Sequence, residues 1–291
     1  MNRLFTSTIS AFKRVQFRNF ASRAACAGGL ALTAISSPTM GADGATNATT
    51  AQEFDDGRYG QVHQAPRNWK LMVGVGAIYA PEYEGSDKFD VNPLPIISAK
   101  FGDRVSVDIT GVTIDVFQHD GFKLGLKGGY EIGRKEEDSR YLRGFGDVDP
   151  GGIVGGLVSY EQGPFQVYAN LEKTIGGSNG LTGTLGGRAF YEYDRFVFSA
   201  DVSATWADNN HMQTYFGVSS VQSAGSGRSE YEANAGFKRV DVKATATYVL
   251  NENWAITGAT GLGLLMGDAR NSPIVMDDVQ PFSMVGVAYQ F

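Results

Sequence analysis

From Trp69 to the last residue, the sequence alternates apolar and polar residues in runs of about ten to twelve, ending in Gly, Asp or Asn. In one run Phe196, Phe198 and Val202 alternate with Ser199 and Asp201. Successive residues of a strand point to opposite faces, so this pattern predicts strands with one apolar and one polar face. The glycine count of 38 fits an all-β chain with many tight turns.

Three features favour a membrane-spanning barrel over a soluble β-sandwich. The runs are close to the length that a tilted strand needs to cross a bilayer. Their polar faces carry more charged residues than a sandwich core accepts, whereas a wet barrel lumen accepts them. Aromatic residues stand near strand ends on the apolar face, as in the interfacial girdles of barrels: Trp69, Tyr79, Phe122, Tyr130, Phe196, Trp206 and Trp254.

The number of strands depends on how residues 104–118 are interpreted. Their apolar residues change parity at Gly111, which indicates either a bulge or a tight turn between two short strands of about seven residues each. If Gly111 lies in a tight turn, the chain has twelve strands and both termini lie in the periplasm. The alternative is a barrel of ten strands. The predicted segments are 69–80, 91–101, 104–118, 121–133, 151–161, 165–175, 182–193, 196–206, 238–249, 253–265 and 281–291.

Connections between the predicted strands alternate between short and long. Bacterial barrels keep short turns in the periplasm and long loops outside, so we expect an antiparallel up-and-down transmembrane β-barrel over residues 69–291. The last strand alternates Val285, Val287, Tyr289 and Phe291 to the terminus. A terminal Phe in this pattern resembles the signal read by the outer-membrane barrel insertion machinery, which is therefore an expected partner through Phe291.

The first 42 residues are interpreted as a signal peptide. Arg and Lys residues without acidic ones precede an uncharged run from Ala24 to Ser36 and a small-residue cleavage region. A mitochondrial transit peptide is the competing interpretation. Residues 43–68 show no periodicity and are expected to be a flexible periplasmic leader. Together these features predict export through the periplasm to the outer membrane of a Gram-negative bacterium, in contact with membrane lipid and lipopolysaccharide.

Composition restricts the function classes. Removing residues 1–42 takes five of the 25 basic residues and none of the 31 acidic ones, so the mature charge is 20 − 31 = −11, which argues against nucleic acid as a partner. One Cys and three His predict neither a metal site nor a cofactor. His211, in the large loop 207–237, is interpreted as a solvated loop residue rather than a catalytic base, and no enzyme activity is expected.

The polar strand faces and the longest loop supply the candidate lumen and gating residues. Both charge signs are present, so many of these side chains are expected to pair across the lumen. A loop of this length is too long for a plain connection and is expected to plug or gate the barrel. The candidates are Asp108, Lys123, Lys127, Glu131, Arg188, Glu192, Asp201, Tyr215, Phe216, Arg239, Asp241 and Lys243.

Several segments resemble signatures of the MipA/OmpV family of outer-membrane proteins. They are YAPEYEGS at 79–86, PLPI at 93–96, GFGDVD at 144–149, the stretch 211–237, GDARNSPIV at 267–275 and the last five residues. The resemblance implies an outer-membrane barrel, and a scaffold role that joins a lytic transglycosylase to a penicillin-binding protein in murein turnover. A porin-like channel and a surface adhesin are alternatives within the family.

A scaffold for murein enzymes needs a periplasmic docking surface, and the predicted periplasmic turns have only a few residues. The leader is the one sizeable segment on that side. We therefore expect docking through its acidic and aromatic residues, Glu53, Phe54, Asp55, Asp56 and Tyr59. The alternative is that residues 43–68 are only a spacer.

Overall fold

A computed structural model describes residues 69–291, which form a closed antiparallel barrel of twelve strands in sequential order. The predicted fold class and the preferred strand count are confirmed. The predicted signal peptide (1–42) and the predicted leader (43–68) lie outside the described residues. The strands are β1 Trp69–Pro81, β2 Phe89–Phe101, β3 Val105–Asp108, β4 Gly111–His119, β5 Phe122–Glu131, β6 Gly151–Gln162, β7 Phe165–Gly176, β8 Leu181–Tyr193, β9 Phe196–Ala207, β10 Gly236–Val249, β11 Trp254–Leu265 and β12 Val279–Gln290.

The barrel closes where the last strand pairs with the first. β12 and β1 form a continuous antiparallel ladder from Met72↔Gln290 to Tyr79↔Ser283. After it, the Phe291 N–H donates to the Leu71 carbonyl at 2.9 Å, so pairing extends to the last residue. Both ends of the described chain therefore lie at the same rim, the one with the short turns.

Gly111 forms part of a tight turn, as the preferred interpretation required. Its φ of +145° suits glycine, and a Cβ there would stand 2.1 Å from the Gly128 carbonyl oxygen on β5. The two strands are unequal, however. β3 has 4 residues and β4 has 9, rather than about seven each, because the turn lies at Ile109 and Thr110.

The outer surface of the barrel carries the apolar side chains of the alternating pattern. Val75, Val91 and Leu185 are about two-thirds exposed, since they point away from the lumen. Aromatic rings gather at the rim with the short turns, where Phe196 lies 4.7 Å from Tyr248 and Trp254 lies 5.0 Å from Tyr289. This arrangement is that of a strand surface in hydrocarbon with an aromatic girdle at the interface.

The lumen has an apolar side and a polar side. Inward residues of β1, β2, β11 and β12 pack into a buried apolar cluster: Met72, Ile78, Ala80, Leu94, Ile96, Ala259, Phe282, Met284 and Ala288. Opposite them, β7, β8 and β9 carry Tyr168, Arg188 and Asp201 inward. The apolar side arises because β1 and β12 place glycines and aliphatic residues at inward positions.

Periplasmic turns are short throughout, with residues 102–104, 120–121, 163–164, 194–195 and 250–253 between strands. The long outer loops are 82–88, 132–150, 208–235 and 266–278, while two outer connections, 109–110 and 177–180, are short. The outer loops contain three α-helices, α1 Asn209–Phe216, α2 Ser220–Ser226 and α3 Gly267–Arg270, and two short 3-10 helices, Glu136–Asp138 and Arg140–Leu142. Within residues 69–291 none of the helices has the length and apolar character needed to span a membrane.

Candidate functional site at the outer mouth of the barrel

The long outer loops pack on one another over the mouth of the barrel and form what we call the cap (residues 82–88, 132–150, 208–235 and 266–278). One apolar cluster joins α1 to the outer ends of β9 and β11 through Met212, Phe216, Ala207 and Leu265. A second joins the remaining loops through Tyr83, Leu142, Phe145, Val218 and Ile274. The cap is therefore a packed structure with its own cores.

Helix α1 points three functional side chains toward the lumen. It begins at Asp208, whose carboxylate accepts a hydrogen bond from the His211 N–H at 2.9 Å, as an N-cap residue does. His211 and Tyr215 are one helical turn apart and therefore lie on the same face. Both are at most 3% exposed, and their rings lie 4.8 Å apart. Phe216 is fully buried beside them.

A bulge at the start of β10 brings two consecutive cations into the interior. The register of β10 against β9 shifts between Phe237 and Arg239. A regular strand would point Lys238 and Arg239 to opposite faces, but the extra residue of a bulge breaks that alternation. Lys238 is 1% exposed and Arg239 is 3% exposed, so both charges lie inside the barrel mouth.

Glu84 from the first outer loop binds both of these cations. Its carboxylate lies 3.0 Å from the Lys238 Nζ and 3.3 Å from the Arg239 guanidinium. Arg239 also donates from Nε to Asp241 at 2.7 Å. The Glu84 side chain is 5% exposed. Buried charges are stable only when paired and hydrogen-bonded, so Glu84 is the residue that allows Lys238 and Arg239 to lie here.

His211 completes the cluster as a neutral ring. The Lys238 ammonium lies 3.0 Å from His211 Nε2 and has protons to donate, so Nε2 is the acceptor and the proton sits on Nδ1. Nδ1 faces the Glu131 carboxylate at 3.9 Å. Burial lowers the pKa of His211 to about 3, and the Lys238 charge adds to this effect, against the opposite influence of Glu84 and Asp208.

Glu131 and Arg134 connect this cluster to the loop after β5. Glu131 accepts a hydrogen bond from the Ser178 hydroxyl at 2.9 Å. Arg134 donates to the Tyr215 carbonyl at 2.8 Å, and its guanidinium carbon lies 5.8 Å from the centre of the Tyr215 ring. The second and third long loops are thus joined by polar contacts above the lumen.

A second set of charges lies deeper in the barrel. Arg188 donates from Nε to Asp201 at 3.0 Å, and the Tyr168 hydroxyl lies 3.2 Å from both carboxylate oxygens. Gly186, directly opposite Tyr168 in the ladder, has no side chain and so leaves room for the Tyr168 ring. Lys127 and Glu172 pair at 2.9 Å across β5 and β7. These pairs account for the mixture of signs on the polar strand faces.

The predicted lumen residues fall into distinct places. Arg239, Asp241, Tyr215, Phe216 and Glu131 come together at the mouth, and Lys127, Arg188 and Asp201 form the deeper pairs. The remaining four lie at other positions on the strands. Asp108 accepts from Thr110 and holds the β3–β4 turn, Glu192 is exposed near the periplasmic end of β8, Lys123 is half-buried near the periplasmic end of β5, and Lys243 is buried on β10.

Sequence reasoning missed Glu84 and Lys238 and misjudged His211. Glu84 belongs to a loop motif, YAPEYEGS, in which nothing marks one carboxylate as buried. Lys238 has the parity of an outward residue, and only the bulge reverses it. The interpretation of His211 as a solvated residue is wrong, because α1 packs that residue against Lys238. An N-cap Asp three residues before His211 was the one available signal of a helix there.

Several acidic residues of the outer loops hold the loop backbone or pair with a cation. Glu136 accepts from the N–H groups of Gly144 and Gly146, and Asp138 accepts from the Lys135 N–H. Asp278 pairs with Arg270 at 2.6 Å. Across residues 69–291 no group of three or more His, Cys, Asp or Glu residues is placed to hold a metal ion.

Comparison with known proteins gives a family match over most of the chain. The family model of "MltA-interacting protein MipA" matches residues 73–291. The MltA-interacting protein of Escherichia coli K12 is 24% identical over 238 residues, which cover 79% of this chain and 93% of the relative. YiaT of the same strain, whose name describes it as an outer membrane protein, is 24% identical over 228 residues, covering 76% and 91%.

A solved structure gives a weaker likeness. An outer membrane channel from Pseudomonas putida F1 aligns with 81% of this chain and 98% of its own length, at 11% sequence identity and a TM-score of 0.40.

The charge cluster predicts that Glu84→Gln destabilises the protein. The substitution leaves Lys238 and Arg239 buried without their shared anion, which should lower the free energy of unfolding by roughly 3–5 kcal/mol. The measurement is the guanidinium midpoint of the detergent-folded protein. Glu137→Gln is the matched control, because Glu137 pairs with Lys135 at the surface with its side chain 74% exposed. Equal midpoints for the two variants would contradict the assignment.

The buried neutral state of His211 predicts a loss of stability in acid. The unfolded chain takes up a proton at His211 near pH 6.5, whereas the folded chain resists protonation down to about pH 3. The contribution is therefore complete above pH 6.5 and is lost as the pH falls toward 3. The thermal midpoint should fall less between pH 7.5 and pH 5 in His211→Gln than in the native chain. A fall of the same size in both would refute this.

Proposed function

The chain belongs to the MltA-interacting protein MipA family, and from that membership we propose that it is a non-enzymatic outer-membrane scaffold for murein-processing enzymes. A relative is named for its interaction with MltA. By extension, the proposed partner of this chain is a periplasmic lytic transglycosylase, together with a penicillin-binding protein. The barrel anchors the assembly in the outer membrane, and the periplasmic side recruits the enzymes.

The observation that carries this proposal is the cap. Its loops are held by two apolar clusters and by the Glu84–Lys238–Arg239 ion pairs, all of them buried. Below it, the apolar cluster on the β1 and β12 side and the Arg188–Asp201 pair occupy the lumen from opposite walls. A barrel filled in this way suits an anchor better than a wide pore.

The periplasmic rim restricts where an enzyme can dock. Its turns have two to four residues, and the chain enters β1 at Trp69 on the same rim. Residues 43–68 precede Trp69 and would extend into the periplasm. We therefore assign docking to the leader, through Glu53, Phe54, Asp55, Asp56 and Tyr59, which lie outside the described residues.

Co-purification tests the scaffold and the leader separately. The full-length protein, extracted in mild detergent, should retain a lytic transglycosylase of the MltA type. A variant in which residues 43–66 are replaced by a Gly/Ser segment of equal length should lose it, because the length of the tether is kept and its side chains are removed.

The outcomes of that experiment are distinct. Failure of the full-length protein to retain the enzyme overturns the scaffold proposal. Retention by both proteins keeps the scaffold but refutes docking through the leader. Deletion of residues 212–232 in the cap is the control on the opposite side of the membrane, and it should leave retention unchanged.

A gated channel is the second candidate, and the paired charges of the polar wall favour it. Lys127, Glu172, Arg188 and Asp201 line one side of the lumen and would face water if the cap moved away. Planar-bilayer recordings of the intact protein should show small or no conductance, because the cap covers the mouth. Deleting residues 212–232 should raise it. Large, stable conductance from the intact protein would refute the capped arrangement and favour the channel.

A further inference from the structure

The wall of the barrel is incomplete beside β2. β1 pairs with the whole length of β2, from Trp69↔Phe101 to Pro81↔Phe89. On its other side, β2 pairs only with the four residues of β3, from Ser98↔Asp108 to Phe101↔Val105. Among the described strands, none pairs with residues 89–97 on that side. The short β3–β4 hairpin thus fills only the periplasmic half of the space between β2 and β5.

The resulting gap has a defined frame. Its floor is the turn at Ile109 and Thr110, where the Ile109 carbonyl accepts a hydrogen bond from the Tyr130 hydroxyl of β5 at 2.6 Å. Tyr83 of the first long loop and Leu142 of the second belong to one buried apolar cluster, so these two loops are joined in the cap. Three strand spacings separate β2 from β5, which makes the opening roughly 14 Å wide, enough for two or three acyl chains side by side.

The backbone along this edge is rich in acceptors. Backbone groups of alternate residues in a strand point to alternate sides. Pro93 and Pro95 have no N–H to donate, and the ladder with β1 is nevertheless continuous through them. The backbone groups of these two residues therefore point away from β1 and toward the gap, and so do those of the other odd-numbered residues of β2. In the middle of the edge these residues are Val91, Pro93 and Pro95. They present three carbonyl groups and one N–H.

Such an edge is unusual at this depth. Open sheet edges do not occur against lipid hydrocarbon, because an unpaired backbone group there costs several kcal/mol. The neighbouring outward side chains are nevertheless apolar: Val91 is 68% exposed and Ile97 is 47% exposed. The edge therefore requires an occupant that is mostly hydrocarbon and that also donates hydrogen bonds. A protein strand fits poorly, since it would find carbonyl groups but almost no N–H donors.

We propose that the gap between β2 and β5 binds one lipopolysaccharide molecule of the outer leaflet. Its acyl chains lie against Val91 and Ile97, and its hydroxyl and amide N–H groups, which stand close to the head group, donate to the carbonyls of Val91, Pro93 and Pro95. Two exposed cations of the outer loops would contact its phosphates: Lys88, directly before β2, which also pairs with Asp87 at 3.4 Å, and Arg140, which also donates to the Tyr141 hydroxyl. This site is independent of the proposed docking of murein enzymes on the periplasmic side.

Site-specific photocrosslinking in native outer membranes tests the proposal. A benzophenone amino acid replaces Val91, and, as the matched control, Leu264. Both side chains point outward near the outer end of their strands, but Leu264 lies on a strand that is paired on both sides, with Val240 and Val279. The Val91 variant should give several-fold more lipopolysaccharide adduct than the Leu264 variant.

Other results would overturn the proposal. Equal adducts at the two positions indicate general lipid contact, and adducts only to phospholipid identify a different occupant. An adduct to a second copy or to another polypeptide indicates a protein interface. A second variant, Pro93→Ala with Pro95→Ala, adds two unpaired N–H groups to the edge and should reduce the adduct at Val91. Heat-modified migration on gels verifies that each variant has folded.

Discussion

The ladder between β12 and β1 is the interaction on which the rest of the structure depends. Inside a bilayer there is no water to satisfy backbone groups, so a sheet is stable there only when its first and last strands pair. Met72↔Gln290 to Tyr79↔Ser283 provide that pairing. Closure fixes which residues face inward, and therefore brings Met72, Phe282 and Met284 together in one apolar cluster and sets the polar wall opposite them.

Inside the closed sheet, the interior is filled in two ways. On one side aliphatic and aromatic side chains pack as they would in a soluble core. On the other, cations and carboxylates form pairs such as Arg188 with Asp201, which offset the cost of removing charge from water. At the mouth, Glu84 pairs with both Lys238 and Arg239, Asp241 pairs with Arg239 as well, and neutral His211 adds no further positive charge. The buried apolar cluster on one wall, the ion pairs on the other and the packed cap are what favour an anchor over an open pore.

Much of this architecture could be predicted from the sequence, because alternation with a period of two is a local signal. It identified the strands, the parity change at Gly111 and the four long outer loops, although the outer connections 109–110 and 177–180 are short. The charge cluster at the mouth could not be predicted in the same way. Lys238 lies inside only because of a bulge, and Glu84 becomes buried only when a loop from the start of the barrel meets β10. The shortness of β3 was hidden as well, because Val105 and Val107 alternate as a longer strand would.

The cap contacts also have a consequence for the order of assembly. The Tyr83 hydroxyl donates to the Ile274 carbonyl, and the Gly85 N–H donates to the Gln280 side chain, across sequence separations of 191 and 195 residues. The first bond joins the loop after β1 to the loop before β12, and the second joins the same loop to the outer end of β12, so both cross the closure between β1 and β12. None of these bonds can form in a sheet that is still open, so the cap is completed after the first strand has met the last. Once formed, the same bonds hold the outer ends of β1 and β12 together and oppose their separation. The cap therefore slows the unfolding of the closed barrel.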